Sequence, residues 1–370
     1  MRLVEAVRGA GHEGASAPPH RVSELEHEGL EHEELVVRHG ARSGVPMAVA
    51  IHSTVLGPAL GGLRLWHYDT VGSAIDDVLR LAQGMTLKAA AAGLDLGGGK
   101  GVICSPGDPH SLSAMSRRDL MLDFGDLVES LEGRYITAED VGTGTSDMVT
   151  IAQRTSHVTG LPDGAGDPSP FTAIGVESAM RACVEARFGS TELRGLGVVV
   201  IGLGHVGARL AKRLRAAGVR LEICDVDVTK RELAESLGAR WIEPEEAIGR
   251  KCDVLAPCAL GGLIDEVSID RLRAGIVCGA ANNQLADDGL AEELEGRGIL
   301  YAPDFLVNAG GLISVYRELH GYDEDRALEL VLGIEDKMRA ALAAASARAI
   351  TPLDAARELA LERLGAAVPD

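Results

Sequence analysis

VVVIGLGHVGARLAKRLRAAGVRLEICD (198–225) decides the fold. Val198 to Ile201 is a β-branched apolar strand that enters a turn with Gly202, Gly204 and Gly207. Ala208 to Ala217 follow with helical spacing, and Arg220 to Cys224 form a second strand ending at Asp225. In this strand–turn–helix setting each glycine has a task. The first permits the tight turn, the second lets backbone approach a pyrophosphate, and the third lets helix and strand pack closely. The N–H groups opening the helix would hold the phosphates. Gly202, Leu203, Gly204, His205, Val206 and Gly207 are therefore candidate cofactor residues. Asp225 lies 23 residues beyond Gly202, where a carboxylate accepts hydrogen bonds from ribose hydroxyls and repels a 2′-phosphate. The expected cofactor is NAD rather than NADP. The alternative, a glycine turn in an ordinary α/β unit, leaves strand, helix and acid together unexplained.

From Leu196 onward, strand, turn and helix repeat in the rhythm of a doubly wound sheet. Upstream, LPDGAGDPSP (161–170) reads as a linker, followed by a helix from Thr172 to Phe188. Earlier still, Glu34 to Arg38 and Pro46 to His52 read as strands, Gly57 to Arg64 as a glycine-rich stretch, and Ser73 to Gly84 as a helix. Another helix is expected over Arg117 to Leu131 and a buried strand over Tyr135 to Ala138. The expected division is a loose leader over 1–22, a first domain over 23–158 and a nucleotide domain over 159–344.

The 370 residues exceed one ordinary α/β core, so two domains are the natural expectation. Hydrophobic residues make up 46% and aromatics only 3%, so the cores rest on aliphatic side chains, as in parallel sheets covered by helices. A net charge of −19 repels phosphate backbones and anionic lipid, which argues against nucleic-acid and membrane partners. The six cysteines lack CxxC or zinc spacing, so no metal site is expected and the thiols suit a reducing cytoplasm. The N-terminus lacks the apolar run of a signal peptide.

Two lysines lie in the apolar stretch MTLKAAAAGLDLGGGKGVI (85–103). Burial lowers a lysine pKa towards the neutral amine that a general base needs. Lys100 follows three glycines, so little bulk shields the approach to it. Lys88, beside Leu87 and four alanines, is suited to pair with a carboxylate. A snorkelling surface lysine is the alternative for each. Asp140 ends an apolar strand beside Gly142 and Gly144, as either a chemical group or a turn residue. Glu139 next to it could take either role.

Several blocks carry a resemblance: GPALGGLRLW (57–66), GMTLKAAAAGLDLGGGKGVI (84–103), GRYITAEDVGTG (133–144), GLGHVG (202–207), APCALGG (256–262), ANNQL (281–285) and YAPDFLVNAGGLI (301–313). In this order and spacing the chain resembles the Glu/Leu/Phe/Val dehydrogenases, the leucine and valine enzymes most of all. The resemblance implies two α/β domains flanking a cleft, the first completed by a C-terminal helix at about 345–370. It implies that Lys88 binds the substrate carboxylate with Gly61 and Gly62, that Lys100 activates water, and that Asp140 holds the amino group and moves protons. Thr172 and Asn283 would contact the nicotinamide end of the cofactor. Leu60, Ala138, Leu312 and Val315 would line an aliphatic side-chain pocket, and both lysines would be desolvated. The implied reaction is reversible NAD-linked deamination of Leu, Val or Ile to a 2-oxo acid and ammonia, by a homo-oligomer. The same chemistry on an aromatic or unusual substrate, and a non-catalytic NAD-binding sensor, stay open at this point.

Overall fold

Two six-stranded sheets, one mixed and one wholly parallel, organise two units of the chain. The computed structural model describes Arg2, Leu3 and residues 32–367 apart from 163, 165, 320 and 322. The expected leader lies outside the described residues except for Arg2–Leu3. One unit is built on the chain up to Ala90 and on residues 95–166; the other holds Ala91–Leu94 and Asp167–Ala366.

The first unit contains β1 (Arg2–Leu3), β2 (Glu34–His39), β3 (Pro46–Ser53), β4 (Ala59–Trp66), β5 (Gly97–Cys104) and β6 (Tyr135–Glu139). They lie in the order β1-β2-β3-β5-β4-β6, with β3 antiparallel to both neighbours and the other pairs parallel. Side-chain alternation gives the sheet two apolar faces. Leu35, Ala48, Ala50 and Val102 meet Ala74, Val78, Leu79 and Ala82 of α1 (Val71–Ala91). Val36, Val49, Leu65 and Ile103 meet Leu120, Phe124 and Leu127 of α2 (Ala114–Glu129). The short helix α3 (Thr145–Ile151) adds Met148 and Ile151 to that second core.

The stretch 85–103 divides in two. Its alanines are strong helix formers and carry α1 seven residues past Gly84, placing Lys88 in the last turn. Gly93, in the left-handed region at φ 74, then turns the chain towards β5. The glycine-rich stretches are strands, contrary to their low β propensity. Packing is the reason: a Cβ on Gly98 would lie 2.1 Å from the backbone nitrogen of Thr86, so only glycine lets α1 rest this close to β5.

The second unit contains β7 (Gly197–Ile201), β8 (Arg220–Cys224), β9 (Arg240–Trp241), β10 (Cys252–Pro257), β11 (Ala274–Val277) and β12 (Leu300–Tyr301). Every pair is parallel, in the order β12-β11-β10-β7-β8-β9. Counted from β7 this is the 3-2-1-4-5-6 order of the Rossmann sheet, with its switch point between β7 and β10. Helices α4 (Ser169–Phe188) and α5 (His205–Ala216) belong to this unit. The helix after the linker starts three residues before Thr172, because Pro170 fits the first turn of a helix. The C-terminal helix Pro352–Ala366, expected with the first unit, packs in the second. Its Leu353 joins Val199, Leu255, Val277 and Tyr301 in one core. Among the described residues no helix is long and apolar enough to cross a membrane.

Candidate active site and nucleotide loop

In the first unit the register decides which side chains share a face. Leu60 pairs with Gly98 of β5, and Gly62 with Ala138 of β6. Alternation therefore puts Leu60, Gly62 and Arg64 on the same side as Lys100 and Ala138, the side that α1 covers. Gly61 faces the other way; a Cβ there would lie 1.7 Å from the carbonyl oxygen of Gly99, and its own carbonyl accepts a 2.6 Å hydrogen bond from the Tyr135 hydroxyl.

Lys100 is 5% exposed, and its Nζ lies 2.9 Å from Oδ2 of Asp140, just beyond β6. Burial pushes the Lys100 amine below the ordinary lysine range; the charge of Asp140 opposes this and that of Arg64 adds to it. Burial pushes the Asp140 carboxyl up, but Lys100 and Arg64 outweigh it and hold the group below the usual carboxylate range. The result is an ionised acid beside an amine that sheds its proton more readily than a solvated lysine.

The structure thus brings Lys100 and Asp140 into contact and sets Leu60 and Ala138 on the same face. Lys88 lies two residues after Thr86 on α1 and is half-buried, so of the two lysines only Lys100 meets the expectation of full desolvation. Glu139 is exposed and accepts from the Thr145 hydroxyl at 3.4 Å, whereas Asp140 contacts Lys100. Leu312 (buried) and Val315 (half-buried) lie in the second unit, on the helix Gly310–Leu319. Sequence reasoning missed Arg64, Asp77 and Tyr68. Arg64 Nε donates to Asp140 Oδ2 at 3.1 Å, and its Nη1 donates to Asp77 Oδ2 at 2.9 Å. The signal was present: an arginine inside the strand ALGGLRLW has to find a partner.

In the second unit, Gly202 follows β7 in the left-handed region at φ 95. A Cβ on Gly207 would lie 2.0 Å from the carbonyl oxygen of Gly202, so the third glycine lets α5 start against the turn. At Gly204, the N-cap of α5, a Cβ would meet nothing within 4 Å, and no side chain caps the helix. Internal packing therefore does not demand glycine there, whereas backbone approach by a phosphate does. Asp225 closes the loop: Oδ2 accepts the Leu203 N–H at 2.5 Å and Oδ1 the Asp227 N–H at 2.8 Å. Each oxygen keeps a lone pair for a ribose hydroxyl. These residues fit a dinucleotide. His205 is exposed at the start of α5, Val206 half-buried behind it. Thr172 sits on α4, its hydroxyl donating to the Pro168 carbonyl at 3.1 Å. Asn283 is exposed in a turn at φ 50, its carbonyl accepting the Gly262 N–H at 2.7 Å.

Residues 36–157 match the family described as Glu/Leu/Phe/Val dehydrogenase, dimerisation domain, and residues 220–368 match Glutamate/Leucine/Phenylalanine/Valine dehydrogenase. The chain is 43% identical over 341 residues to leucine dehydrogenase of Bacillus subtilis (strain 168), covering 91% of this chain and 92% of that one. It is 45% identical over 340 residues to valine dehydrogenase of Streptomyces virginiae, covering 90% and 94%. It is also 43% identical over 335 residues to L-tryptophan dehydrogenase of Nostoc punctiforme (strain ATCC 29133 / PCC 73102), covering 90% and 93%. The crystal structure of L-tryptophan dehydrogenase from Nostoc punctiforme superposes with a TM-score of 0.81 at 40% identity, covering 91% of this chain and 97% of that one.

Proposed function

The chain belongs to the Glu/Leu/Phe/Val dehydrogenase family and is an amino-acid dehydrogenase; from that premise we propose that it oxidises a branched-chain or small aliphatic L-amino acid with NAD, releasing the 2-oxo acid and ammonia. The observation that carries the chemistry is the buried Lys100 amine 2.9 Å from the Asp140 carboxylate. Lys88 binds the substrate carboxylate, aided by the backbone at Gly61 and Gly62. Asp140 receives the amino group. When bound, the nicotinamide takes the hydride from the substrate Cα. Lys100, in its neutral form, removes a proton from the water that attacks the resulting iminium carbon. Asp140 then carries protons to the departing ammonia.

The glycine loop 202–207 and the start of α5 hold the pyrophosphate, Asp225 the adenosine ribose, and Thr172 and Asn283 the nicotinamide end. Asp225 is the basis for NAD over NADP. Leu60, Ala138, Leu312 and Val315 are all aliphatic, which supports Leu, Val or Ile as substrate. One methylene is worth only about 1–3 kcal/mol of discrimination in an apolar site, so the three overlap. The likeness to the Nostoc L-tryptophan dehydrogenase favours one other reading, an aromatic substrate. The match of residues 36–157 to a dimerisation domain supports a homo-oligomer, and six free thiols accord with a cytoplasmic enzyme. NADH formation with each standard L-amino acid tests the substrate. We expect kcat/KM for Leu, Val and Ile to exceed that for Phe and Trp by about tenfold or more. Trp or Phe as the best substrate overturns the aliphatic assignment.

A further inference from the structure

Arg64 links the Lys100–Asp140 pair to a second carboxylate. It leaves β4 on the face that α1 covers. Asp77, on α1, accepts from Arg64 Nη1 and, through the same Oδ2, from the Tyr68 hydroxyl at 2.7 Å; its Oδ1 accepts from Arg80 at 2.7 Å. Asp77 is thereby held from three sides, and Arg64 is held with it. The other arm of the guanidinium reaches Asp140 Oδ2, the same oxygen that Lys100 Nζ contacts. Two cations therefore converge on one oxygen of Asp140. Its Oδ1 accepts no hydrogen bond from the described residues.

We propose that Arg64 is a positioning residue for the deamination: clamped by Asp77 and Tyr68, it fixes Asp140 through Oδ2, leaves Oδ1 for the substrate amino group, and keeps Lys100 from becoming the sole counter-ion of that carboxylate. This rests on the roles given above to Lys100 and Asp140. Besides Lys100, the titratable groups on this face include Arg64 from β4, Tyr68 beyond it, Asp77, Arg80 and Lys88 from α1, Cys104 from β5, His52 from β3 and Asp140 beyond β6. With Arg64 present, a second cation besides Lys100 holds Asp140 towards its ionised form. Without it, Asp140 has Lys100 alone, and the nearby like charge that disfavours the ammonium is gone. Both changes hold the proton on Lys100 and delay formation of the base to higher pH. The forked guanidinium matters as well as its charge, because a lysine cannot donate to two carboxylates in that fixed geometry.

The test is the pH profile of kcat for the full-length enzyme with its best amino-acid substrate, in wild type, Arg64→Gln and Arg64→Lys. In Arg64→Gln the rising limb should move up by about one pH unit, with kcat near pH 8 about tenfold lower and KM changed less than about threefold. In Arg64→Lys the limb should return to its wild-type position while kcat stays several-fold low. A limb in Arg64→Gln within a few tenths of a unit of wild type overturns the proposal. Should that variant not fold, wild-type kcat in Arg64→Lys overturns it equally. If wild type oxidises no amino acid, the functional reading itself falls. If wild type turns over and neither variant behaves as stated, only the role of Arg64 falls.

Discussion

Gly204→Ala separates what the fold needs from what a ligand needs. Gly204 has φ −66 and ψ −162, at the edge of the extended region, so alanine fits with little strain, and its added Cβ meets no atom within 4 Å. Reduced unfolded-state entropy favours alanine by about 0.4–1 kcal/mol, and its poorer N-cap character offsets about 0.5–1 kcal/mol of that. Stability should therefore stay within about 0.5 kcal/mol of wild type. Cofactor binding should not. In the proposed nucleotide site the methyl stands where a pyrophosphate would approach the first-turn N–H groups, and losing one charge-assisted hydrogen bond costs about 1.5–3 kcal/mol. That corresponds to an NADH Kd raised about 10–100-fold. Urea unfolding measures the first quantity and NADH fluorescence titration the second. Gly207→Ala is the contrast: its Cβ lies 2.0 Å from the Gly202 carbonyl oxygen, backbone held by the turn, so it should lose about 1–3 kcal/mol of stability. An unchanged Kd in Gly204→Ala, or a stability loss as large as that of Gly207→Ala, refutes the reasoning.

Two further outcomes follow from single side chains. Asp225→Ala should weaken NAD binding and narrow the preference over NADP, measured as the ratio of kcat/KM for the two cofactors; an unchanged ratio contradicts the role of Asp225. Asp123, on α2, accepts hydrogen bonds from the backbone and side chains of both Ser43 and Arg42, at 2.7 to 3.1 Å. Burial pushes this carboxyl up, but those bonds outweigh it and hold it below the usual range. Its folded pKa is thus below the unfolded one, so its contribution is complete above about pH 4 and is lost as pH falls through the folded value. Asp123→Asn should cost about 2–3 kcal/mol at pH 7, discounted because Arg42 is a third exposed, and should flatten the acid side of the stability profile. An unaltered acid slope in urea unfolding contradicts this.

The nucleotide unit was legible because local and global signals agree. Val198 to Asp225 switches from strand period to helix period and back within one glycine-punctuated unit, and the structure forms β7, α5 and β8 over that span. The first unit was harder to read. β4 and β5 carry glycines that propensity counts against a strand, and their need for glycine arises from contacts with residues far along the chain, such as Gly61 with Gly99 and Gly98 with Thr86. Lys100 and Asp140 were legible as types, since an amine in an apolar stretch and an acid at a strand end invite chemistry. Their contact was not, because parallel register across β5, β4 and β6 creates it. The Arg64–Asp77 pair joins a strand to a helix and leaves no periodic trace. The C-terminal helix went to the second unit because Leu353 joins a core that draws residues from β7, β8, β10, β11 and β12.

Lys100→Ala is the most direct test of the account. The lysine lies in the first unit and the glycine loop in the second, so the variant should bind NADH with the wild-type Kd while kcat for amino-acid oxidation falls about a thousandfold or more, beyond the usual hundred- to ten-thousandfold range's lower end for a general base. Near-normal kcat in that variant, with NADH binding intact, would contradict the assignment of Lys100 as the base.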